Sequence, residues 1–337
     1  MTYPTRFAVI GTGGIAADFC DALRGSSSCE VVSVVGSSAA KGAAFAQRFA
    51  LPRAAASLNE LLTDRDVDVV YVATPHPLHE AQALACIEMG KHVLCEKPLT
   101  VDAASTERVI QAARQRQVFL LEGYMYRCHP LLGALLERLE RGDIGQLRHI
   151  KADFGFRLAR DPQGRLFDTK LGGGGILDVG GYCMSFARLL AGVVSGKPFA
   201  EPTRIEAVGF TGPTGVDEIT TALLGFASGL SATLTCAVHH RVGTEAVLYG
   251  EAGKIVLPDP WIPQGVRQAL ETSFTVLREG AENETVTIRT ERPTYTLQAE
   301  LVAWSLQNLE APWPAMSWAD TLGNMRALDA WRACLSR

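Results

Sequence analysis

One junction constrains the fold of this chain more than any other stretch. The apolar run Phe7-Ala8-Val9-Ile10 passes without a linker into Gly11-Thr12-Gly13-Gly14-Ile15-Ala16, which opens an amphipathic stretch reaching about Leu23. Strand, glycine turn and helix in this order are the G-x-G-x-x-A form of the dinucleotide fingerprint. Gly11 suits the tight turn, Gly13 lets the backbone approach a pyrophosphate, and Ala16 permits close helix–strand packing. The helix N-terminus then offers N–H donors to phosphate. A glycine motif alone is weak evidence; its place between a strand and a helix gives it weight.

The rhythm continues for the first third of the chain. Val31-Val32-Ser33-Val34-Val35 reads as a strand and residues 39–49 as a helix, with a short helix over 57–62. A strand over 67–73, a helix ending at Met89 with Gly90 at C′, a strand ending at Cys95, a helix over 102–116 and a strand over 118–121 follow. Alternation of this kind predicts a parallel, doubly wound α/β Rossmann domain over residues 1–124. NAD-preferring folds place an acid at the carboxyl end of the second strand. Here that end reads Gly36-Ser37-Ser38 with Lys41 shortly after, and Glu30 stands at the wrong end. Hydroxyls and a cation favour a 2′-phosphate, so NADP is expected, with NAD possible; capping of the next helix is the other use for Ser37 and Ser38. His92-Val93-Leu94-Cys95 runs into Glu96-Lys97-Pro98, which puts Lys97 at the carboxyl end of a central strand, where open α/β sheets hold their ligands. A cis Lys97–Pro98 bond is expected there.

The second part, residues 125–337, changes character. After a helix over 131–141, alternating stretches over 148–158, 217–226, 230–238, 245–249 and 254–257 are punctuated by Ala227-Ser228-Gly229 and Glu251-Ala252-Gly253. Residues 274–277 and 285–289 suit a further pair. These predict an α+β domain with a large, mainly antiparallel open sheet. Its apolar-rich strands suggest that one face pairs with another subunit. Helices near 297–308 and after Ser317 close the chain. Gly172-Gly173-Gly174-Gly175 opens one more helix, on which Asp178, Tyr182 and Ser185 fall at i, i+4, i+7 and share a face. A narrow polar stripe on an otherwise apolar helix looks into a cleft; an Asp at the positive helix end plus a half-buried Tyr is the plainer explanation.

Composition excludes several classes. The net charge is −4 and no basic block occurs, so no nucleic-acid partner is expected. No signal core precedes the first strand and no apolar run is expected to span a bilayer, which points to a cytoplasmic protein without a membrane partner. The eight cysteines include no CxxC pair and read as reduced, buried small hydrophobes. His76 and His79 are three apart, but no Cys or carboxylate nearby completes a ligand set, so no metal is expected.

The fingerprint, Thr74-Pro75-His76-Pro77-Leu78-His79, Glu96-Lys97-Pro98 and Gly173-Gly174-Gly175-Ile176-Leu177-Asp178-Val179-Gly180-Gly181-Tyr182 together resemble the glucose–fructose oxidoreductase, inositol dehydrogenase and rhizopine catabolism (Gfo/Idh/MocA) family over essentially the whole chain. Tyr182, where most members carry His, is similar to the branch of dimeric dihydrodiol dehydrogenase, NADP-linked D-xylose dehydrogenase and glucose–fructose oxidoreductase. The chain departs from that branch at Gly181 and from the wider family at Ser185. The segment from Glu122 through Arg127 to Pro130 also resembles that branch. The resemblance implies a nicotinamide between the domains and self-association through the C-terminal sheet as a dimer or tetramer. It implies a cofactor set of Gly11, Thr12, Gly13, Gly14, Ile15, Ala73, Thr74, Pro75, His79, Glu96, Lys97 and Arg127, beside Ser37, Ser38 and Lys41. The substrate set is Lys97, Tyr124, Arg157, Asp178 and Tyr182. Arg157, Arg160 and Arg165 precede the glycine run; solvated loop charges are the plainer explanation for them.

The expected chemistry is hydride transfer between NADP and a carbinol of a sugar, polyol or trans-dihydrodiol. Tyr182 is the expected acid/base, its phenol lowered from about 10 by the Lys97 ammonium, with Asp178 orienting the substrate hydroxyl or Lys97. The rival assignment makes Lys97 the proton carrier and Tyr182 a positioner. Two other readings are a redox-assisted glycosidase and a nucleotide-sensing protein without catalysis.

Overall fold

The computed structural model describes residues 3–263 and 271–335; the outer ends of the two predicted domains, at residues 1–2 and 336–337, lie outside the described residues. β1 (Thr5–Ile10), β2 (Cys29–Val35), β3 (Arg53–Ala54), β4 (Val69–Val72), β5 (His92–Cys95) and β6 (Leu120–Glu122) form a six-stranded parallel sheet in the order β3-β2-β1-β4-β5-β6. This is the doubly wound order in which the chain reverses direction between β1 and β4. The helices α1 (Gly14–Ala22), α2 (Ala39–Phe49), α3 (Leu58–Thr63), α4 (His79–Glu88) and α5 (Ala103–Arg116) connect the strands. Both faces are covered, so alternate residues of one strand serve two cores. Phe7 and Val9 join one apolar cluster, Ala8 and Ile10 the other. That is why these strands read as unbroken apolar runs. Helix starts follow local chemistry: the Ser38 hydroxyl accepts from Lys41 N at 3.3 Å and the Asp102 carboxylate from Ser105 N at 2.8 Å.

α6 (Pro130–Glu140) leads into β7 (Leu147–Gly155), and α7 (Gly181–Val194) precedes β8 (Pro202–Thr211), β9 (Asp217–Phe226), β10 (Ser231–Ala237), β11 (Ala246–Gly250), β12 (Gly253–Leu257), β13 (Glu271–Arg278) and β14 (Glu284–Arg289). These eight strands order as β14-β13-β12-β11-β7-β10-β9-β8, antiparallel except for the β7–β10 pair. The three expected hairpins form, with β7 inserted between two of them. β8 was not anticipated: most of its residues are exposed, so it lacks the alternating burial that announces a strand. One face of the sheet is buried by alternate residues such as Ala222, Leu224, Ala232 and Leu234; α7 lies on β7 and β10.

The helix after the glycine run differs from expectation. Ile176–Gly180 is a π-helical turn, and regular α-helix begins only at Gly181. The wider turn breaks the i, i+4, i+7 alignment. Asp178 and Tyr182 reach the cleft, whereas Ser185 is fully buried, its Oγ 2.7 Å from the Tyr126 hydroxyl. The span Thr169–Val194 is also long and apolar enough to pass for a membrane span, contrary to the expectation that no run was; 94% of its most apolar window is buried inside the protein. It is a core helix. Finally, α8 (Thr294–Ser305) and α9 (Trp318–Leu335) return to the first sheet. The Tyr295 ring meets Phe19 edge-on at 6.0 Å, and the Trp318 indole N–H donates to the Leu120 carbonyl at 3.0 Å.

Candidate active site

The carboxyl ends of β1, β4 and β5 open into a cavity of about 600 Å³ that the second domain closes from above. Gly11 has φ +116°, and a β-carbon there would overlap the Ala73 carbonyl, so only glycine lets the β1 turn lie against the end of β4. No side chain caps α1, and a β-carbon at Gly13 or Gly14 would meet nothing within 4 Å. The first N–H groups of α1 therefore face an open cradle in which no side chain caps them among the described residues.

Lys97 stands at the opposite wall, after β5, and its peptide bond to Pro98 is cis, as expected. Its ammonium donates to the Asp178 main-chain carbonyl at 2.7 Å and lies 3.4 Å from Asp178 Oδ1. The same Oδ1 accepts from Arg165 Nη2 at 2.9 Å. Burial pushes the Asp178 carboxyl up, but the Lys97 and Arg165 cations outweigh it and hold it at about 2. Arg165 Nη1 also reaches His76 Nε2 at 3.2 Å, while His76 Nδ1 faces the Gly172 carbonyl at 3.2 Å. A guanidinium can only donate, so His76 is neutral with its proton on Nδ1. Burial and the two neighbouring cations lower its pKa to about 3.

Tyr182 comes from the first turn of α7. Its ring face lies 5.3 Å from Lys97 Nζ, and its edges meet Tyr124 and Phe154 at 5.1 and 5.3 Å. Lys97 thus sits over the ring and spends two of its donors on Asp178. The expected lowering of the phenol does not occur: burial, then the Glu96 and Asp178 carboxylates, push it well above its ordinary value. Tyr182 is held as a neutral phenol, a group suited to giving a proton rather than storing a charge.

Gly13, Gly14, Ile15, Ala73, Thr74, Pro75, Glu96, Lys97, Asp178 and Tyr182 of the expected set line the cavity. Gly11 and Thr12 form the turn behind it. Ser37, Ser38 and Lys41 are exposed at the carboxyl end of β2, away from this cavity. His79 is fully buried and ties two turns together, with Nδ1 2.9 Å from the Pro98 carbonyl and Nε2 2.7 Å from the Thr74 carbonyl. Three further expected residues do not face the cavity either. Arg127 is buried against Asp320, the Ser185 carbonyl and the Pro314 carbonyl, each at 2.9 Å. Tyr124 is buried behind Tyr182, within reach of Asn324 at 3.3 Å. Arg157 is exposed outside the lining. Phe154, Phe156, Met125 and Ile262 give the cavity an apolar wall that the sequence did not single out.

Comparison with known proteins agrees with this geometry. Residues 5–124 match the NAD-binding Rossmann fold of the GFO_IDH_MocA oxidoreductase family, and residues 133–256 match the GFO/IDH/MocA C-terminal domain. Trans-1,2-dihydrobenzene-1,2-diol dehydrogenase of Mus musculus is 37% identical over 260 residues, 77% of this chain and 76% of the relative. The Homo sapiens protein of the same name is 35% identical over 77% and 76%. The chain belongs to the Gfo/Idh/MocA oxidoreductase family. A 3-ketoreductase from Actinomadura kijaniata, solved with NADP and TDP-benzene, superposes with a TM-score of 0.85 at 26% identity over 98% of both chains. An aldose-aldose oxidoreductase from Caulobacter crescentus shares the fold, with a TM-score of 0.86 at 22% identity over 99% of this chain and 98% of the other.

As a Gfo/Idh/MocA oxidoreductase the chain is NAD(P)-dependent, and its residues fit the cofactor. The uncapped α1 N-terminus and the open Gly13-Gly14 cradle would hold the pyrophosphate. Glu96, Lys97 and Tyr182 would face the nicotinamide end of the cavity. When bound, the nicotinamide supplies the hydride acceptor or donor.

Proposed function

We propose that this oxidoreductase interconverts a carbinol and a carbonyl in a sugar, polyol or trans-dihydrodiol, using NADP. The observation that carries the reading is the Lys97–Asp178–Tyr182 constellation beside the glycine cradle, with Lys97 Nζ 2.7 Å from the Asp178 carbonyl and 5.3 Å from the Tyr182 ring. In the reductive direction the neutral Tyr182 phenol gives the proton to the developing alkoxide, and the Lys97 ammonium offsets the negative charge that forms. Oxidation runs the same steps backwards. Asp178, held ionised between Lys97 and Arg165, fixes the lysine. The apolar wall of Phe154, Phe156 and Ile262 supports a substrate with a carbocyclic or pyranose face. The names of the dihydrodiol dehydrogenase relatives agree with that class. A glycosidase or a sensor is not favoured, because the relatives at this identity are dehydrogenases.

NADP is preferred because the carboxyl end of β2 carries no acid and exposes Ser37, Ser38 and Lys41. Ser38 caps α2 through Lys41 N, which leaves Ser37 and the Lys41 ammonium for a 2′-phosphate. The eight cysteines are free, which supports a reducing compartment such as the cytoplasm. Self-association through the open face of the second sheet is supported by exposed Leu223 on β9 and by Val208 and Phe210 on β8. The central test is Tyr182→Phe and Lys97→Met: each loses turnover by roughly 10²–10⁴-fold while NADP binding, read by fluorescence titration, stays intact. Full activity in either variant overturns the proposal.

A further inference from the structure

The glycine run Gly172–Gly175 has no role in the proton chemistry above. Gly174 has φ +109°, and a β-carbon there would overlap Asp217 Oδ1. A β-carbon at Gly175 would lie 3.3 Å from Asp217 Oδ2. Gly174 and Gly175 are therefore bare because a carboxylate from the start of β9 presses against them, whereas Gly173 faces the Leu166 carbonyl. Asp217 Oδ2 accepts the Ile176 N–H at 2.7 Å. No side chain of the run itself caps this helix start, since Gly175 has none.

Ile176 is two residues before Asp178, and the Asp178 N–H donates to the Gly174 carbonyl at 3.3 Å. The carbonyl of Asp178 takes the Lys97 ammonium at 2.7 Å. A continuous path thus runs from the Asp217 carboxylate through the helix start to Lys97. Asp217 itself lies outside the cavity lining. We propose that Asp217 is a positioning residue of the active site: its negative charge, supplied from a neighbouring strand, anchors the helix start that presents Asp178 to Lys97. The proposal rests on the functional reading given above for Lys97.

Two side chains face Asp217 from the elements around it. Arg332 on α9 favours its ionised form, while Cys236 on β10 adds no cation. Burial outweighs Arg332 and the backbone donors and pushes the carboxyl up to about 6. The charge is therefore present above pH 6 and lost below it, and a charged acceptor holds an N–H roughly twice as strongly as a neutral one.

The test is Asp217→Asn, which keeps an acceptor for Ile176 N–H and removes the charge. At pH 8 the variant's kcat falls about tenfold, the ratio expected when one hydrogen bond loses its charge, with the KM for NADP within twofold. At pH 5 the two proteins converge, because the wild-type carboxyl is then protonated too. A merely structural defect gives a ratio that does not change with pH. Lys97 reactivity toward acetic anhydride at pH 8, read by mass spectrometry, is an arm that needs no substrate: it rises severalfold in the variant as the ammonium loses its fixed partner. A pH-independent kcat ratio overturns the proposal, and so does unchanged Lys97 reactivity. If no carbinol is turned over by the wild type, the functional reading fails, and the lysine reactivity alone decides the role of Asp217.

Discussion

Replacing Glu122 by glutamine stabilises the protein above neutral pH and has little effect in acid. Glu122 ends β6 and is 4% exposed, and its Oε1 accepts the Leu99 N–H at 2.9 Å, two residues beyond Lys97. Burial, with the nearby Asp320 carboxylate, pushes its carboxyl up to about 7, against the opposing pull of the Leu99 N–H, the Thr321 hydroxyl and Arg188. A carboxyl raised in the folded state binds its proton more tightly there than in the unfolded chain. Stability is therefore lost as pH rises from the unfolded value of 4.5 toward about 7. The loss is about 1 kcal/mol at pH 5 and levels off at about 3 kcal/mol by pH 8. Glutamine keeps the acceptor for Leu99 and can donate to the Thr321 hydroxyl, so it escapes this loss. Thermal unfolding of both proteins at pH 5 and pH 8 measures it: the stability difference, variant minus wild type, widens by about 2 kcal/mol between the two pH values. A difference that is the same at both refutes the reasoning, since it would mean that Glu122 is ionised in the folded protein throughout.

Three further outcomes follow from single contacts. Gly181→Ala places a methyl group against the Tyr124 hydroxyl, which costs about 1–3 kcal/mol by overpacking. Tyr124→Phe in the same chain recovers part of that in chemical denaturation, and strictly additive effects would exclude the clash. Lys41→Ala weakens NADP about fivefold, the worth of one exposed charge pair, and leaves NAD unchanged; equal weakening of both would remove Lys41 from the 2′-phosphate site. Leu223→Asp puts a charge on the open face of the second sheet and converts an oligomer to monomer in sedimentation velocity, whereas an unaltered mass would assign self-association to another surface.

The first sheet was legible because its signals are local. A strand buried on both faces, a glycine turn that must approach Ala73, and a serine or aspartate that caps the next helix each act within a few residues. Lys97 and Asp178 were legible for a related reason: each sits beside a conformational marker, the proline that follows Lys97 at a strand end or the glycine run that precedes Asp178. The misses share a different cause. Arg127 and Tyr124 lie between the two domains, and what buries them is Asp320 and Asn324, nearly two hundred residues away. Ser185 was misplaced because one π-turn rotates everything after it, and no residue of Ile176–Gly180 announces that turn. The phenol of Tyr182 was expected to fall beside a lysine. Pairing by proximity ignored burial and the Glu96 and Asp178 carboxylates, which push the phenol the other way. The sharpest case is the glycine run. The run was read only as the opening of a helix, and the reason for Gly174 and Gly175 is steric: they clear a path for Asp217, more than forty positions further on. What a bare backbone makes room for is decided by the partner, so a glycine run in such a chain is best read as a question about which distant side chain enters it.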